Sequence, residues 1–353
     1  MNRNSQSRDQ WSRFTRRQWI AATGVAVVAA AGAPGASAAA QCASANEADE
    51  PALIAITLDL EMSRNFPTRE TTHWDFEKGN LNAETKAYAI EAARRVKARG
   101  GRLHFFVVGR VLEQENVEWL KQLAADGHPL GNHTYDHVNV KATKPEDIQF
   151  RFQRSPWLIE GQKPADVIRE NIRLTSVAMK SRLNVAPAGF RTPGGFGPGL
   201  ADREDVQRML LDQGFTWCSG KYPGHAINAP KEVESPSEPA DEIIASIVAA
   251  QANAQPFIYP SGLVEVPMSP ISDIGAFRTG RWKLEWFLNA IRAGVTWAID
   301  NRACYDFLGH PSCLYVTDPD FQTIDLICDL VEKAGPKAKL ADLNALSQRA
   351  NRS

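Results

Sequence analysis

The chain has 353 residues, of which 43% are hydrophobic, so it can bury a full core in one large domain or in two small ones. This composition excludes a disordered or collagen-like chain. Lys and Arg number 40 against 41 Asp and Glu, and no basic stripe stands out along the sequence. The charge therefore gives no reason to expect nucleic acid, and we expect a neutral or small partner instead.

The first 38 residues have the pattern of a cleavable export signal. Five arginines precede an apolar, Ala-rich run from Trp19 to Ala31, Thr15–Ile20 resembles the twin-arginine motif, and Ala36–Ala38 indicates a cleavage site. A membrane anchor is the alternative, but the run is shorter than the ~20 residues that a span needs. We therefore expect an exported protein, periplasmic or extracellular, with no membrane span after cleavage. Removing residues 1–38 takes away five Arg and one Asp and moves the net charge from −1 to −5.

The rest of the chain is expected to contain a short linker (39–50), one large domain (51–335) and a C-terminal helical tail (336–353). No pair among the five cysteines has the spacing of a zinc site. Cys304 and Cys313 are close enough in sequence to be bridged after export, although a protein exported in the folded state would not need that bridge to fold.

Short apolar runs alternate with helical patterns about seven times between residues 50 and 335. The runs typical of strands are Leu53–Asp59, Leu103–Val108, Pro129–His133, Ala188–Arg191, Phe215–Ser219, Gly262–Met268 and Phe307–His310. The stretches with helical spacing are Ala83–Arg99, Val117–Asp126, Pro164–Leu183, Arg203–Gln213, Ala240–Asn253, Trp282–Asn301 and Phe321–Lys333. This alternation predicts an α/β fold, a distorted (β/α) barrel of about seven strands, with a doubly wound open sheet as the alternative.

Two of the predicted strands end in possible metal ligands. Asp59 and Glu61 follow the first apolar run at positions i and i+2, where two carboxylates on one side of an extended chain can share a metal or divide into base and ligand. His133 and His137, at i and i+4, would lie on one face of a helical turn and could clamp a divalent ion. Taken singly, either pair is equally typical of a solvated surface.

Two further strand ends carry a single polar residue. Arg191 follows a short apolar run and precedes Pro193 and Gly194, and the turn explains the Pro and Gly but not the Arg. His310 ends the last apolar run, where a buried structural histidine is the common interpretation. Because active sites of barrels gather at the carboxyl ends of strands, all four positions together indicate one site.

In this order the four segments resemble the polysaccharide deacetylase family, also called the NodB-homology domain or carbohydrate esterase family 4. The resemblance extends from Leu53 to about Leu330 and implies a NodB-type barrel, with residues 51–335 as the catalytic domain. Gly127–His137 is similar to the second motif of the family and the residues that lead into it, and His104–Gly109 is similar to the second strand. Arg191–Gly194 is similar to the third motif, and Leu308–His310 is similar to the final motif.

The first motif departs from the family pattern. Where the family usually has Thr-Phe-Asp-Asp-Gly, this chain has Thr57–Glu61, so the second Asp, a metal ligand in the family, is replaced by Leu60. By resemblance to branches that move the acid one residue along, Glu61 completes the metal triad with His133 and His137. The fourth motif, an acid that supports the catalytic histidine, has no clean match, and Asp273 is the candidate.

The resemblance implies amide hydrolysis of an N-acetylated sugar with a divalent metal, most simply Zn²⁺. Asp59 would act as general base, Arg191 would hold it ionised and oriented, and His310 would protonate the departing amine. The backbone N–H near Tyr135 is expected to help stabilise the oxyanion.

The expected partner is an acetylated glycan of unspecified type. Tyr135, Pro193, Gly194 and Trp217 are the predicted substrate contacts, and Trp74, Tyr222 and Trp286 are further aromatic residues that could stack on sugar rings. Two alternatives stay open: a metal-independent hydrolase of a small non-sugar amide, favoured by Leu60, and a non-catalytic glycan-binding relic.

Overall fold

The computed structural model describes residues 50–68, 70, 75–225 and 241–350. The predicted export signal, the linker before Glu50, Trp74 and the last three residues lie outside this part of the chain. No helix within it has the length and apolar character needed to cross a membrane.

The described chain forms one curved sheet surrounded by helices. Its strands are β1 (Ala52–Leu60), β2 (His104–Val107), β3 (Leu130–Asn132), β4 (Phe190–Phe196), β5 (Trp217–Lys221), β6 (Phe257–Ile258), β7 (Val264–Glu265), β8 (Cys304–Gly309) and β9 (Ala338–Ala341). They are arranged in the order β6-β7-β5-β4-β3-β2-β1-β8, and β9 pairs with the first half of β1. Every pairing is parallel except that of β6 with β7. All seven predicted strands are observed.

The chain segment that follows β7 connects the two sides of the sheet. Val266 N–H donates to the carbonyl of Cys218 in β5 at 2.8 Å, and Ser269 N–H donates to the carbonyl of Asp306 in β8 at 3.0 Å. These bonds bring β5 and β8 around a common interior. The prediction of a distorted (β/α) barrel is confirmed, and the open doubly wound sheet is not observed.

The helices follow the strands largely as the periodicity predicts. They are α1 (Asp75–Lys78), α2 (Ala83–Ala98), α3 (Glu118–Ala125), α4 (Phe150–Arg154), α5 (Pro164–Leu183), α6 (Glu204–Asp212), α7 (Asp241–Ala250), α8 (Leu284–Asp300), α9 (Pro311–Thr317), α10 (Gln322–Ala334) and α11 (Leu343–Arg349). Local chemistry sets several ends: the Asn82 side chain accepts from Thr85 N–H at 2.9 Å before α2, and Asn184 ends α5 in the left-handed conformation.

The alternation of side chains along β1 separates the core from the site. Ile54, Ile56, Leu58 and Leu60 point outwards into the core formed with the helices. Residues of the other parity face the interior of the barrel, where Leu53 and Ala55 belong to a second apolar cluster near the start of the strand. The polar residues at the end of β1 therefore project into the interior.

The C-terminal segment differs from the predicted helical tail. Residues 338–341 form β9, and only α11 is helical after it. Leu343 and Leu346 of α11 pack with Leu53 and Ala55 in the interior cluster, and they close the barrel at the amino ends of the strands. Burial of this apolar face explains why the tail is part of the domain.

The cysteines of the described chain are all buried and free. They are Cys218, Cys304, Cys313 and Cys328, so the bridge considered between Cys304 and Cys313 is absent.

Candidate active site

The carboxyl ends of the strands surround a cleft of about 340 Å³ that contains most of the predicted site residues. Asp59 and Glu61 lie on its floor and are 3% and 5% exposed, respectively. The two share the inward face of β1, whereas Leu60 is fully buried among the helices. The Ser312 hydroxyl donates to the Glu61 carbonyl at 2.7 Å and helps to fix the backbone at the end of the strand.

His133 and His137 reach the same floor from the segment after β3. The prediction that they lie on one helical turn is wrong, because the segment is an irregular turn in which Thr134 and His137 have positive φ angles of 58° and 56°. The Thr134 hydroxyl accepts from Val138 N–H at 2.9 Å, which stabilises this turn. The two imidazole rings still lie next to each other, with centroids 5.0 Å apart.

Glu61, His133 and His137 fit the requirements of a metal site. One ligand atom from each lies within 4.8 Å of the others, and Glu61 Oε2 is buried without a hydrogen bond of good geometry although it lies against His137 Nε2. His133 Nδ1 is 3.0 Å from the carbonyl oxygen of Arg191, which directs Nε2 towards the carboxylates. Such an outer contact is typical of metal-ligating histidines.

Burial sets the protonation of the two histidines. It lowers the pKa of His137 to about 4, against the opposing effect of Glu61, and it lowers the pKa of His133 as well. Both rings are therefore neutral at pH 7, the form in which imidazole binds a metal.

Glu61 is ionised in spite of its burial. Desolvation alone would raise the pKa of Glu61, but His137 and Lys78 hold it well below its usual value. Since His137 is neutral at pH 7, the charge that persists is Lys78, whose Nζ is 2.7 Å from Glu61 Oε1. Lys78 ends α1, and its carbonyl accepts from Met62 N–H at 2.9 Å, which ties α1 to the end of β1.

Arg191 is fully buried and contacts two carboxylates. Its Nη1 donates to Asp59 Oδ1 at 3.2 Å and to the Thr57 hydroxyl at 2.7 Å, and its Nη2 forms an ion pair with Asp306 on β8. Burial raises the pKa of Asp306 to about 6, although Arg191 opposes the shift. The guanidinium therefore holds Asp59 in a fixed orientation from below the cleft.

His310 lies on the opposite side of Asp59. Its Nε2 is 4.0 Å from Asp59 Oδ2, and its Nδ1 is 2.8 Å from Asp273 Oδ1. The backbone N–H of His310 also donates to Asp273, at 2.6 Å to Oδ2. Burial lowers the pKa of His310, but the charge of Asp273 outweighs it and the net shift is upward. Asp273, the candidate from the sequence, is therefore the acid that contacts this histidine.

The predicted substrate contacts divide into two groups. Gly194 lines the cleft, and Pro193 lines a neighbouring one. Trp217 is 4% exposed in the interior cluster, outside the lining of the cleft, and its Nε1 donates to Asn344 Oδ1 at 3.1 Å. Tyr135 is also absent from the lining of the cleft: its N–H donates to the Asn171 carbonyl at 3.1 Å, and its hydroxyl donates to Glu113.

The other aromatic candidates also differ in position. Tyr222 lines the cleft, whereas Trp286 is 8% exposed within the helical core and Trp74 lies outside the described residues.

Two charged residues of the site, Asp306 and Lys78, are not among the residues predicted from the sequence. Asp306 lies directly before the predicted strand Phe307–His310 and inside the observed β8, where an acid in an apolar strand is itself a signal of a buried partner. Lys78 precedes the first predicted helix, Ala83–Arg99, and nothing in its spacing from Glu61 indicates their contact.

Comparison with known proteins supports the family resemblance. A family model described as polysaccharide deacetylase matches residues 76–209, a span that includes His133, His137 and Arg191. No curated protein matches the sequence significantly. A crystal structure assigned as a polysaccharide deacetylase from Mycobacterium smegmatis is 13% identical, with a TM-score of 0.55 over 86% of this chain and 91% of that one.

Two further solved structures are more distant. A carbohydrate esterase family 4 pseudoenzyme from Bacillus anthracis is 14% identical over 85% of this chain and 66% of that one, with a TM-score of 0.43. A family 4 acetyl xylan esterase from Clostridium thermocellum, in complex with a cobalt ion, is 13% identical over 84% and 91%, with a TM-score of 0.39. The family model over residues 76–209 and the fold shared with the mycobacterial protein bear out the predicted resemblance to the polysaccharide deacetylase family.

Proposed function

We propose that this chain is an exported, metal-dependent deacetylase that removes N-acetyl or O-acetyl groups from a glycan. The observation that carries the proposal is the convergence of Glu61, His133 and His137 beside Asp59 and His310 in one cleft. Hydrolysis of an amide needs a metal site, a general base and a general acid, and the three ligands, Asp59 and His310 can supply these functions.

The metal is expected to be a divalent ion, with zinc favoured by two imidazoles and one carboxylate. When bound, such an ion would polarise the acetyl carbonyl and lower the pKa of a water molecule. Glu61 is ionised and both histidines are neutral at pH 7, so the ligands need no further deprotonation.

Asp59 is the proposed general base. Its Oδ1 accepts from Arg191, while its Oδ2 is 3.6 Å from His133 Nε2 and 4.0 Å from His310 Nε2. The second oxygen therefore faces the cleft and can take the proton of a water that attacks the acetyl carbon. Arg191 keeps the carboxylate from rotating away from that position.

His310 is the proposed general acid. Its Nδ1 is held by Asp273, which leaves Nε2 to give a proton to the amine nitrogen as the C–N bond breaks. With an N-acetyl substrate the products are acetate and a free amino sugar. Asp273 raises the pKa of His310 and so keeps the acid protonated at higher pH.

The test measures metal content and acetate release on the same purified sample. The protein should lose activity on chelation, recover it on addition of zinc, and contain one ion per chain. His133→Ala should lose both metal and activity, whereas His225→Ala, outside the ligand set, should keep the metal. Full metal content in His133→Ala would refute the ligand assignment.

A metal-independent amide hydrolase is the second candidate, and one observation favours it. Lys78 already neutralises Glu61 across 2.7 Å, so the carboxylate is compensated without an ion. Undiminished hydrolysis after complete removal of metal would support this candidate.

A further inference from the structure

The two histidines of the proposed metal site are oriented in different ways. His133 is oriented through its ring, because its Nδ1 lies 3.0 Å from the Arg191 carbonyl oxygen. His137 belongs to the irregular turn after β3 and has a positive φ of 56°, a conformation that residues other than glycine adopt infrequently. A residue in such a conformation keeps it only where the surrounding structure holds it. The contacts that hold the backbone of His137 therefore also decide where its ring points.

The side chain of Gln149 contacts both peptide groups that flank His137. Its Nε2 donates to the Asp136 carbonyl at 2.8 Å and to the His137 carbonyl at 2.9 Å. The first carbonyl belongs to the planar peptide group before the Cα atom of His137, and the second belongs to the peptide group after it. Rotation about φ or ψ of His137 would turn one of these carbonyls away from the carboxamide. One nitrogen with two N–H donors therefore restrains both backbone dihedrals of this residue.

Gln149 is itself held in place. It is 8% exposed, and its Oε1 accepts from Phe150 N–H at 2.5 Å at the start of α4. The main chains of the two segments are also joined, since Asn139 N–H donates to the Ile148 carbonyl at 2.8 Å. A buried amide group loses free energy when a hydrogen bond is left unmade, so the carboxamide keeps these contacts.

Other side chains support the same turn. The Thr134 hydroxyl accepts from Val138 N–H at 2.9 Å, at the other end of the peptide group after His137. Asn171 Oδ1 accepts from Asp136 N–H at 2.8 Å. These contacts should keep the turn folded when Gln149 is replaced. The effect of such a replacement is therefore expected on the direction of the His137 ring.

We propose that Gln149 is a positioning residue for the metal site: by donating to the carbonyl on each side of His137, it directs Nε2 of that ring towards Glu61. This inference rests on the proposed metal-dependent function. Replacing a residue that orients a metal ligand typically lowers metal affinity by about 10- to 100-fold. The Gln149 carboxamide is bonded to the backbone and is not proposed as a ligand, so its loss should weaken and distort the site without removing it.

Two replacements of Gln149 separate this role from its contact with α4. Gln149→Met keeps the length of the side chain but loses both the donor and the acceptor. Gln149→Ser keeps an oxygen that can cap α4, as serine commonly does at the start of a helix, but it is too short to reach the two carbonyls. Only the donation to these carbonyls is lost in both variants. Gln153→Met is the matched control, because it removes a carboxamide bond from α4 to another backbone carbonyl, that of Glu146 at 2.6 Å.

The test measures zinc affinity by competition with a chelator, and coordination geometry from the visible spectrum of the Co²⁺ form. Both Gln149 variants should bind zinc about 10- to 100-fold more weakly than the wild type, with Co²⁺ bands of altered position and intensity. Gln153→Met should match the wild type in both measurements. A merely structural role of Gln149 would lower the free energy of unfolding of the metal-free protein and leave both metal measurements unchanged. Wild-type zinc affinity in either Gln149 variant would overturn the proposal.

Nuclear magnetic resonance of the metal-free protein, labelled with isotopes in its histidine rings, separates this proposal from the proposed function. If the wild type binds no zinc but the His137 ring signal shifts or broadens in both Gln149 variants and not in Gln153→Met, the positioning role stands and the metal-dependent function falls. If the wild type binds zinc and releases acetate while the Gln149 variants keep its affinity, the positioning role alone falls. An unchanged His137 ring signal in both variants would overturn it as well.

Discussion

Lys78 Nζ lies 2.7 Å from Glu61 Oε1, on the side of the carboxylate opposite to the oxygen that faces His133 and His137. The ammonium group of Lys78 therefore lies beside a proposed metal ligand, Glu61, and both side chains are at most 10% exposed. The pair leaves one oxygen of Glu61 for a metal and places a positive charge close to it. This arrangement predicts an effect of Lys78 on metal affinity.

Lys78→Gln should tighten metal binding. The amide keeps a donor for Glu61 Oε1, but it removes the repulsion between an ammonium and a divalent ion a few ångströms away, and we expect a gain of about tenfold or more. Competition with a chelator of known zinc affinity measures the change. Weaker binding in Lys78→Gln would show that the ammonium acts chiefly by orienting Glu61.

Glu61→Ala and Leu60→Ala should fail in different ways. Glu61→Ala removes an oxygen ligand and should abolish metal binding, whereas Leu60 is fully buried among the helices and offers no ligand. Leu60→Ala should instead lower the free energy of unfolding by about 2–5 kcal/mol and retain the metal. Metal analysis and denaturant unfolding on both variants check this, and equal metal loss in both would remove Glu61 from the site.

Asp273→Asn should shift the pH dependence of kcat/KM. Asp273 raises the pKa of His310 against the effect of burial, and activity that needs protonated His310 is lost as pH rises through that pKa. Without the charge of Asp273 the lowering effect of burial is less opposed, so the alkaline limb should move to lower pH. An unchanged alkaline limb would assign it to another group.

His310→Ala should lower kcat by about 10² to 10⁴ and leave the metal content unchanged. The loss should shrink on an activated acetyl ester, whose leaving group departs without protonation. Equal losses on the amide and the ester would make His310 a structural residue.

Asp306→Asn should change how stability depends on pH. Burial raises the pKa of Asp306 to about 6 from an ordinary 3.8, so the folded state binds this proton more tightly than the unfolded state does. The stabilisation is therefore present at low pH and is lost as pH rises from about 4 to about 6, by an amount on the order of 1–3 kcal/mol.

In Asp306→Asn the free energy of unfolding should decline less steeply across that range. Asp300→Asn, at the exposed end of α8, is the control and should behave as the wild type. Parallel curves for wild type and Asp306→Asn would contradict the assignment.

Much of the site is predictable because parallel strands end at one edge of a sheet. Polar residues at the ends of apolar runs, such as Asp59, Arg191 and His310, therefore lie close together at that edge, independently of the conformation of the loops between the strands. Strand alternation also explains why Glu61, rather than Leu60, joins the histidines.

Other features depend on contacts that no local pattern encodes. Lys78 reaches Glu61 from a short helix, and the irregular turn after β3, not a helix, brings His133 and His137 together. Trp217 lies in the interior cluster and not in the cleft, because an aromatic residue at the start of a strand can equally point into the barrel. Its burial there depends on α11, which the sequence places only as a tail.

The pairing of β1 has a consequence for synthesis. The strand that carries Asp59 forms hydrogen bonds with β8 and β9, and contacts such as that of Thr57 with Asp306 span 249 residues. A ribosome releases β1 long before these partners exist, so the strand cannot take its final place until nearly the whole chain has been translated. A chain that ends before β8 lacks both Asp306 and His310, so the surroundings of Asp59 and Arg191 are completed only late in synthesis.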